Sequence, residues 1–66
     1  MSSVGDEYPK EQARCRELLE TYRRLGPVGQ FGATMIVAVI EQAERAAISG
    51  DPVEVIRAFK AMQGCS

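Results

Sequence analysis

The side chains able to do chemistry in this chain are few and scattered. Two cysteines, Cys15 and Cys65, stand fifty residues apart with no Cys-x-x-Cys spacing, and histidine is absent. A tetrahedral zinc site needs a set of nitrogen and sulfur ligands that two thiols cannot complete, so no metal and no cofactor is expected. Cys15 falls on an apolar stripe and reads as a small hydrophobe. Cys65 reads as a free thiol; only Ser66 follows it, whereas a prenylation signal needs three residues after the cysteine. No secretory-type apolar segment precedes the cysteines, so a cross-link is not expected and the cytoplasm is the expected location. The serines Ser2, Ser3, Ser49 and Ser66 have no base beside them, and the carboxylates Glu17, Glu20, Glu41 and Glu44 fall on wet faces of predicted helices. Without histidine the commonest general base near neutral pH is missing. The chain is not expected to be an enzyme.

Two other patterns invite a ligand. GPVGQFGATM places Gly26, Gly29 and Gly32 ahead of a helix, where backbone donors attract anions. It lacks the preceding strand and the Lys-Ser/Thr pair of a phosphate loop, and the sheet and basic residues of a GxxG nucleic-acid clamp. A tight corner that needs small residues is the better explanation. Lys10, Arg14, Arg16, Arg23 and Arg24 with Tyr8 and Tyr22 suggest a nucleic-acid surface. The basic residues are spread around the predicted helix with Glu17 and Glu20 between them, whereas a phosphate track clusters on one side. The formal net charge of −1 adds no long-range attraction to phosphate or anionic lipid. A DNA-associated helical dimer is retained as the alternative function.

Positioning these residues requires helices. Residues 1–8 read as a flexible lead-in and 9–64 as one three-helix domain. Pro9 suits a first helical turn, and Tyr8, Cys15, Leu18, Leu19, Tyr22 and Leu25 form a stripe along helix one. Gly26 and Pro27 stop it. Helix two starts near Pro27 or, with a looser corner, near Phe31, and it ends at Ser49 before Gly50. At about 100° per residue, Gly32, Ala33, Met35, Ile36, Val39, Ile40, Ala43, Ala46 and Ala47 share an arc of roughly half the circumference. One neighbour cannot cover so broad an arc, which places helix two between the others. Asp51 is an N-cap with Pro52 behind it, and Glu54 stands where a capping box would close. Helix three runs from Pro52 to Gln63 with Val55, Ile56, Phe59 and Met62 inward. The expected fold is therefore an all-α, small three-helix bundle. No apolar run approaches the roughly 18 residues of a membrane span.

The most informative apolar residues are those outside the core pattern. Val37, Ile40, Glu44 and Ile48 are spaced three, four and four, a continuous seam on helix two, while Phe31 and Ala38 lie on its far side. The seam is either the edge of the core or an intermolecular surface, most economically in a two-fold homodimer.

From Tyr8 to Cys65, YPKEQARCRELLETYRRLGPVGQFGATMI, the later SGD and the closing QGC, the chain resembles short proteins encoded by proteobacterial phages and prophages. The resemblance implies a bacterial cytoplasmic setting and an accessory or regulatory role, and brings no active-site residue with it. The expected function is a non-enzymatic protein-protein interaction, with self-association through helix two.

Overall fold

The computed structural model describes residues 3–65. Among them the chain forms three helices, α1 (Val4–Arg24), α2 (Gln30–Ser49) and α3 (Pro52–Gln63), with a 3-10 turn at Gly26–Gly29 between the first two. No strand occurs among the described residues. Helix α2 packs against both other helices, which touch each other less, so the bundle has the expected class and the expected middle element.

Helix α1 starts five residues earlier than Pro9. Residues 1 and 2 of the expected lead-in lie outside the described residues, but Ser3 to Tyr8 are ordered by local chemistry. The Ser3 hydroxyl accepts from the Asp6 N–H at 3.3 Å, and the Asp6 carboxylate accepts from the Ser3 N–H at 3.5 Å. This reciprocal cap satisfies two donors that a helix start leaves free, and Asp6 and Glu7 sit at the positive end of the helix dipole. Pro9 is consequently inside the helix, where it removes only the bond to the Gly5 carbonyl, an exposed position. Tyr8 supplies the tertiary anchor: it is 7% exposed and its hydroxyl donates to the Ala43 carbonyl at 2.7 Å.

The corner after α1 uses its glycines for two different reasons. Gly26 takes the left-handed conformation, φ 68°, that turns the chain out of a helix. Gly29 is buried, and a Cβ there would run into the Tyr22 carbonyl oxygen; at Gly32 it would run into the Tyr22 ring. The corner therefore needs small residues because α1 ends directly against the start of α2. The second corner is capped locally. Gly50, φ 69°, donates to the Ala46 carbonyl at 3.2 Å, and the Asp51 carboxylate accepts from the Val53 N–H at 2.9 Å. Glu54 does not close a box with Asp51; it pairs with Arg57 at 3.5 Å.

Tyr22 meets Gly32 at one end of the α1–α2 contact and Tyr8 meets Ala43 towards the other, so these helices are antiparallel. The rings of Tyr8 and Phe59 stack at 6.3 Å, and Cys15 lies against Met62; α1 and α3 therefore run in the same direction. Tyr8, Cys15, Leu19, Ala33, Ile36, Ile40, Ala43, Ala46, Ala58 and Met62 form the core. Two features depart from the sequence pattern. On α3, Ala58 replaces Ile56 at the centre of the buried face, leaving Ile56 48% exposed. The methyl side chains of Ala43 and Ala58 are both fully buried. On α2, Met35 and Ala47 fall within the expected arc but are exposed.

Candidate functional site

The seam Val37, Ile40, Glu44 and Ile48 is divided by the fold. Ile40 is a core residue at 8% exposure and Val37 packs against the core from its edge. Glu44 is half-exposed and pairs with Arg16 of α1 at 3.7 Å. Only Ile48, at 87% exposure, stands free of the bundle. The line of residues chosen from spacing is thus core edge over its first half and an isolated side chain at its last position. Its middle residues are occupied within the chain.

The large exposed apolar group lies elsewhere, around the first turns of α2. Val28 is 87% exposed, Phe31 79%, Met35 57% and Leu25 55%. Residues 28, 31 and 35 have the three- and four-residue spacing of helix neighbours. The cause is a mismatch of lengths: α3 has 12 residues and α2 has 20, so at 1.5 Å per residue α3 is about 12 Å shorter. A neighbour that ends early leaves the flank of α2 uncovered. Next to Phe31, Gly32, Met35 and Val39 of α2 form one wall of a groove of about 350 Å³, with Tyr22 of α1 and Ala61 and Cys65 at the end of α3 forming the rest. The sequence carried one signal for this region, the absence of any charged side chain from Leu25 to Ile40. Phe31, expected outside the core arc of helix two, is exposed.

Six of the eight basic residues, though not Arg24 or Lys60, form an ion pair among the described residues. Lys10 pairs with Glu7, Arg14 with Glu11, Arg23 with Glu20, Arg45 with Glu41 and Arg57 with Glu54, all within 4 Å, and Arg16 reaches Glu44 across helices. Arg14 does more than pair. Its guanidinium donates to both Glu11 carboxylate oxygens, at 3.2 and 3.1 Å, and to the carbonyls of Met62 and Cys65. The Met62 carbonyl lies in the last turn of α3 and the Cys65 carbonyl just beyond its end, where a cation matches the negative end of the helix dipole. The Glu11 hydrogen bond is the main reason the Arg14 pKa is raised. Spacing alone had placed Arg14 only among basic residues spread around helix one.

Two of the serines screened for catalysis serve structure. Ser3 caps α1; the Ser49 hydroxyl donates to the Ala46 carbonyl at 2.9 Å and accepts from the Asp51 N–H at 3.2 Å. Ser2 and Ser66 lie outside the described residues. Cys15 is fully buried and Cys65 half-buried, both as free thiols. Burial, foremost, pushes the Cys15 thiol up, and it pushes the Tyr8 phenol up as well. Among the described residues no group of three or more His, Cys, Asp or Glu side chains is placed to hold a metal ion, and no helix is long and apolar enough to cross a membrane. No protein-family model matches this chain, and comparison with curated proteins and with solved structures finds no significant similarity.

Proposed function

We propose that this chain is a small non-enzymatic interaction protein that pairs with a second copy of itself through the uncovered flank of α2. One observation carries the reading: Phe31 projects 79% exposed beside a groove of about 350 Å³ with largely apolar walls. A two-fold contact brings one surface onto its own copy, so a bulky side chain and a recess that lie side by side fill one another reciprocally. The absence of charge from Leu25 to Ile40 means that two such surfaces meet without like-charge repulsion. Aromatic and Met side chains are also those enriched at the centre of protein contacts.

The ion pairs of Arg14, Arg16 and Arg23 favour this reading over duplex binding, because side chains already facing carboxylates release fewer counterions from phosphate. A cytoplasmic, phage- or prophage-encoded accessory role belongs to the same proposal, with the resemblance as its support. Sedimentation equilibrium across a wide concentration range tests the pairing. The wild-type chain should self-associate and Phe31→Glu should weaken association at least tenfold with helix content unchanged, while Ile48→Glu should leave it as it was. A wild-type chain that stays monomeric at the highest attainable concentration would refute the proposal.

A further inference from the structure

We propose that Cys15 and Cys65 are a reversible disulfide pair, oxidised by a small-molecule disulfide that enters at Cys65 and fastening the end of α3 to α1 when closed. The inference does not rest on self-association. Its basis is that the fold brings together two thiols fifty residues apart. The Cys15 thiol donates to the Met62 carbonyl at 3.8 Å and the Cys65 thiol to the adjacent Ala61 carbonyl at 3.6 Å, which places both sulfurs against one turn of α3. Arg14, one residue before Cys15, holds the Cys65 carbonyl at 2.9 Å and the Met62 carbonyl beside it, so the backbones carrying the thiols are fastened to each other before any covalent bond exists.

The two thiols differ in the way a two-step exchange requires. Cys65 is half-buried and lines the groove beside Met35 and Val39, where a dissolved disulfide can reach it. Cys15 is 0% exposed and meets the oxidant only through Cys65. In the first step the Cys65 thiolate attacks a sulfur of the small disulfide, forming a mixed disulfide and releasing one small thiol. In the second, Cys15 loses its proton and displaces the remaining small group from Cys65. The Cys15–Cys65 bond forms, the Cys65–small-molecule bond breaks, and the second small thiol leaves. Two protein thiols are oxidised, one disulfide is reduced to two thiols, and the two thiol protons are carried by those products. Closing so long a loop restrains the unfolded chain strongly, and the reaction runs backwards when reduced thiol is in excess.

The test exposes the reduced full-length chain to oxidised glutathione and reads intact mass, thiol alkylation after unfolding, and melting temperature. The proposal expects a monomer lighter by two hydrogens, both thiols protected, a melting temperature raised by about 10 to 20 °C, and full reversal by reduced glutathione. Cys15→Ser should stop at a stable glutathione adduct on Cys65, and folded Cys65→Ser should not react. Several results would overturn it: a wild-type chain that keeps the Cys65 adduct with Cys15 still open to alkylation, a cross-linked dimer, an unchanged melting temperature, or no reaction. The wild-type mass decides the matter even where Cys15→Ser fails to fold.

Discussion

Two neighbouring regions of this bundle are built in opposite ways. Along the seam between α1 and α3, Tyr8 stacks on Phe59, Cys15 and Met62 are fully buried, and Arg14 satisfies the last carbonyls of α3 while Glu11 satisfies Arg14. Tyr8, Arg14 and Cys15 there all meet groups from a distant part of the chain. On the adjoining flank of α2, Val28, Phe31 and Met35 have large apolar surfaces facing water. The contrast separates two uses of apolar residues in a small chain: those that hold the fold, and those that the fold supports but does not use.

Substitutions sharpen that contrast by the size of their effects. Met62→Ala should have the largest, because emptying a fully buried position costs about 2 to 5 kcal/mol in a protein whose core supplies only about 3 to 5 kcal/mol net. Thermal denaturation followed by circular dichroism should find it largely unfolded at room temperature. Gly29→Ala comes next. Alanine is the better helix former, yet the methyl group would meet the Tyr22 backbone carbonyl, and the resulting shift should cost about 1 to 3 kcal/mol in urea unfolding. A gain in stability would mean that the corner is not tight.

Arg14→Met keeps much of the stem and removes the guanidinium that serves the end of α3. Because the side chain is 40% exposed and water can replace part of its bonding, the expected loss is about 1 kcal/mol. Amide exchange should quicken in the last turn of α3 and not at the start of α2. A smaller effect concerns pH. Burial raises the folded-state pKa of Cys15 and of Tyr8, with Cys65 adding to the Cys15 shift and Arg14 opposing it. Groups shifted this way contribute stability that is complete below their unfolded values and is lost as pH rises through the folded ones. Melting temperature should therefore decline above about pH 9, the ordinary thiol value, and the decline should be shallower in Cys15→Ala. The smallest stability change is expected for Phe31→Glu, within about 0.5 kcal/mol, although it is the variant that should weaken pairing at least tenfold. A large destabilisation by it would show that the α2 flank belongs to the core after all.

What could be read before folding divides along the same line. The stops at Gly26 and Gly50 and the start at Asp51 and Pro52 were visible, since a cap or a left-handed turn is decided by residues a few positions apart. The start of α1 was misplaced for a related reason. Pro9 is a strong local signal, and the weaker Ser3–Asp6 cap upstream prevailed because buried Tyr8 anchors that turn through Ala43. The seam Val37, Ile40, Glu44 and Ile48 was correct as a periodicity and divided as a surface, because periodicity marks a face of a helix but not where its neighbours end.

By itself the amino-acid order determined three helices, their junctions and a middle element too apolar to stand alone, since all of these follow from local capping and from the angular spread of side chains on one helix. Tertiary structure alone decided the rest. The short α3 leaves Phe31 uncovered and Ile40 enclosed, and the parallel run of α1 and α3 sets Arg14 and Cys15 against Met62 and Cys65. No local rule reaches across fifty residues; only the relative lengths and rotations of packed helices determine which distant side chains meet.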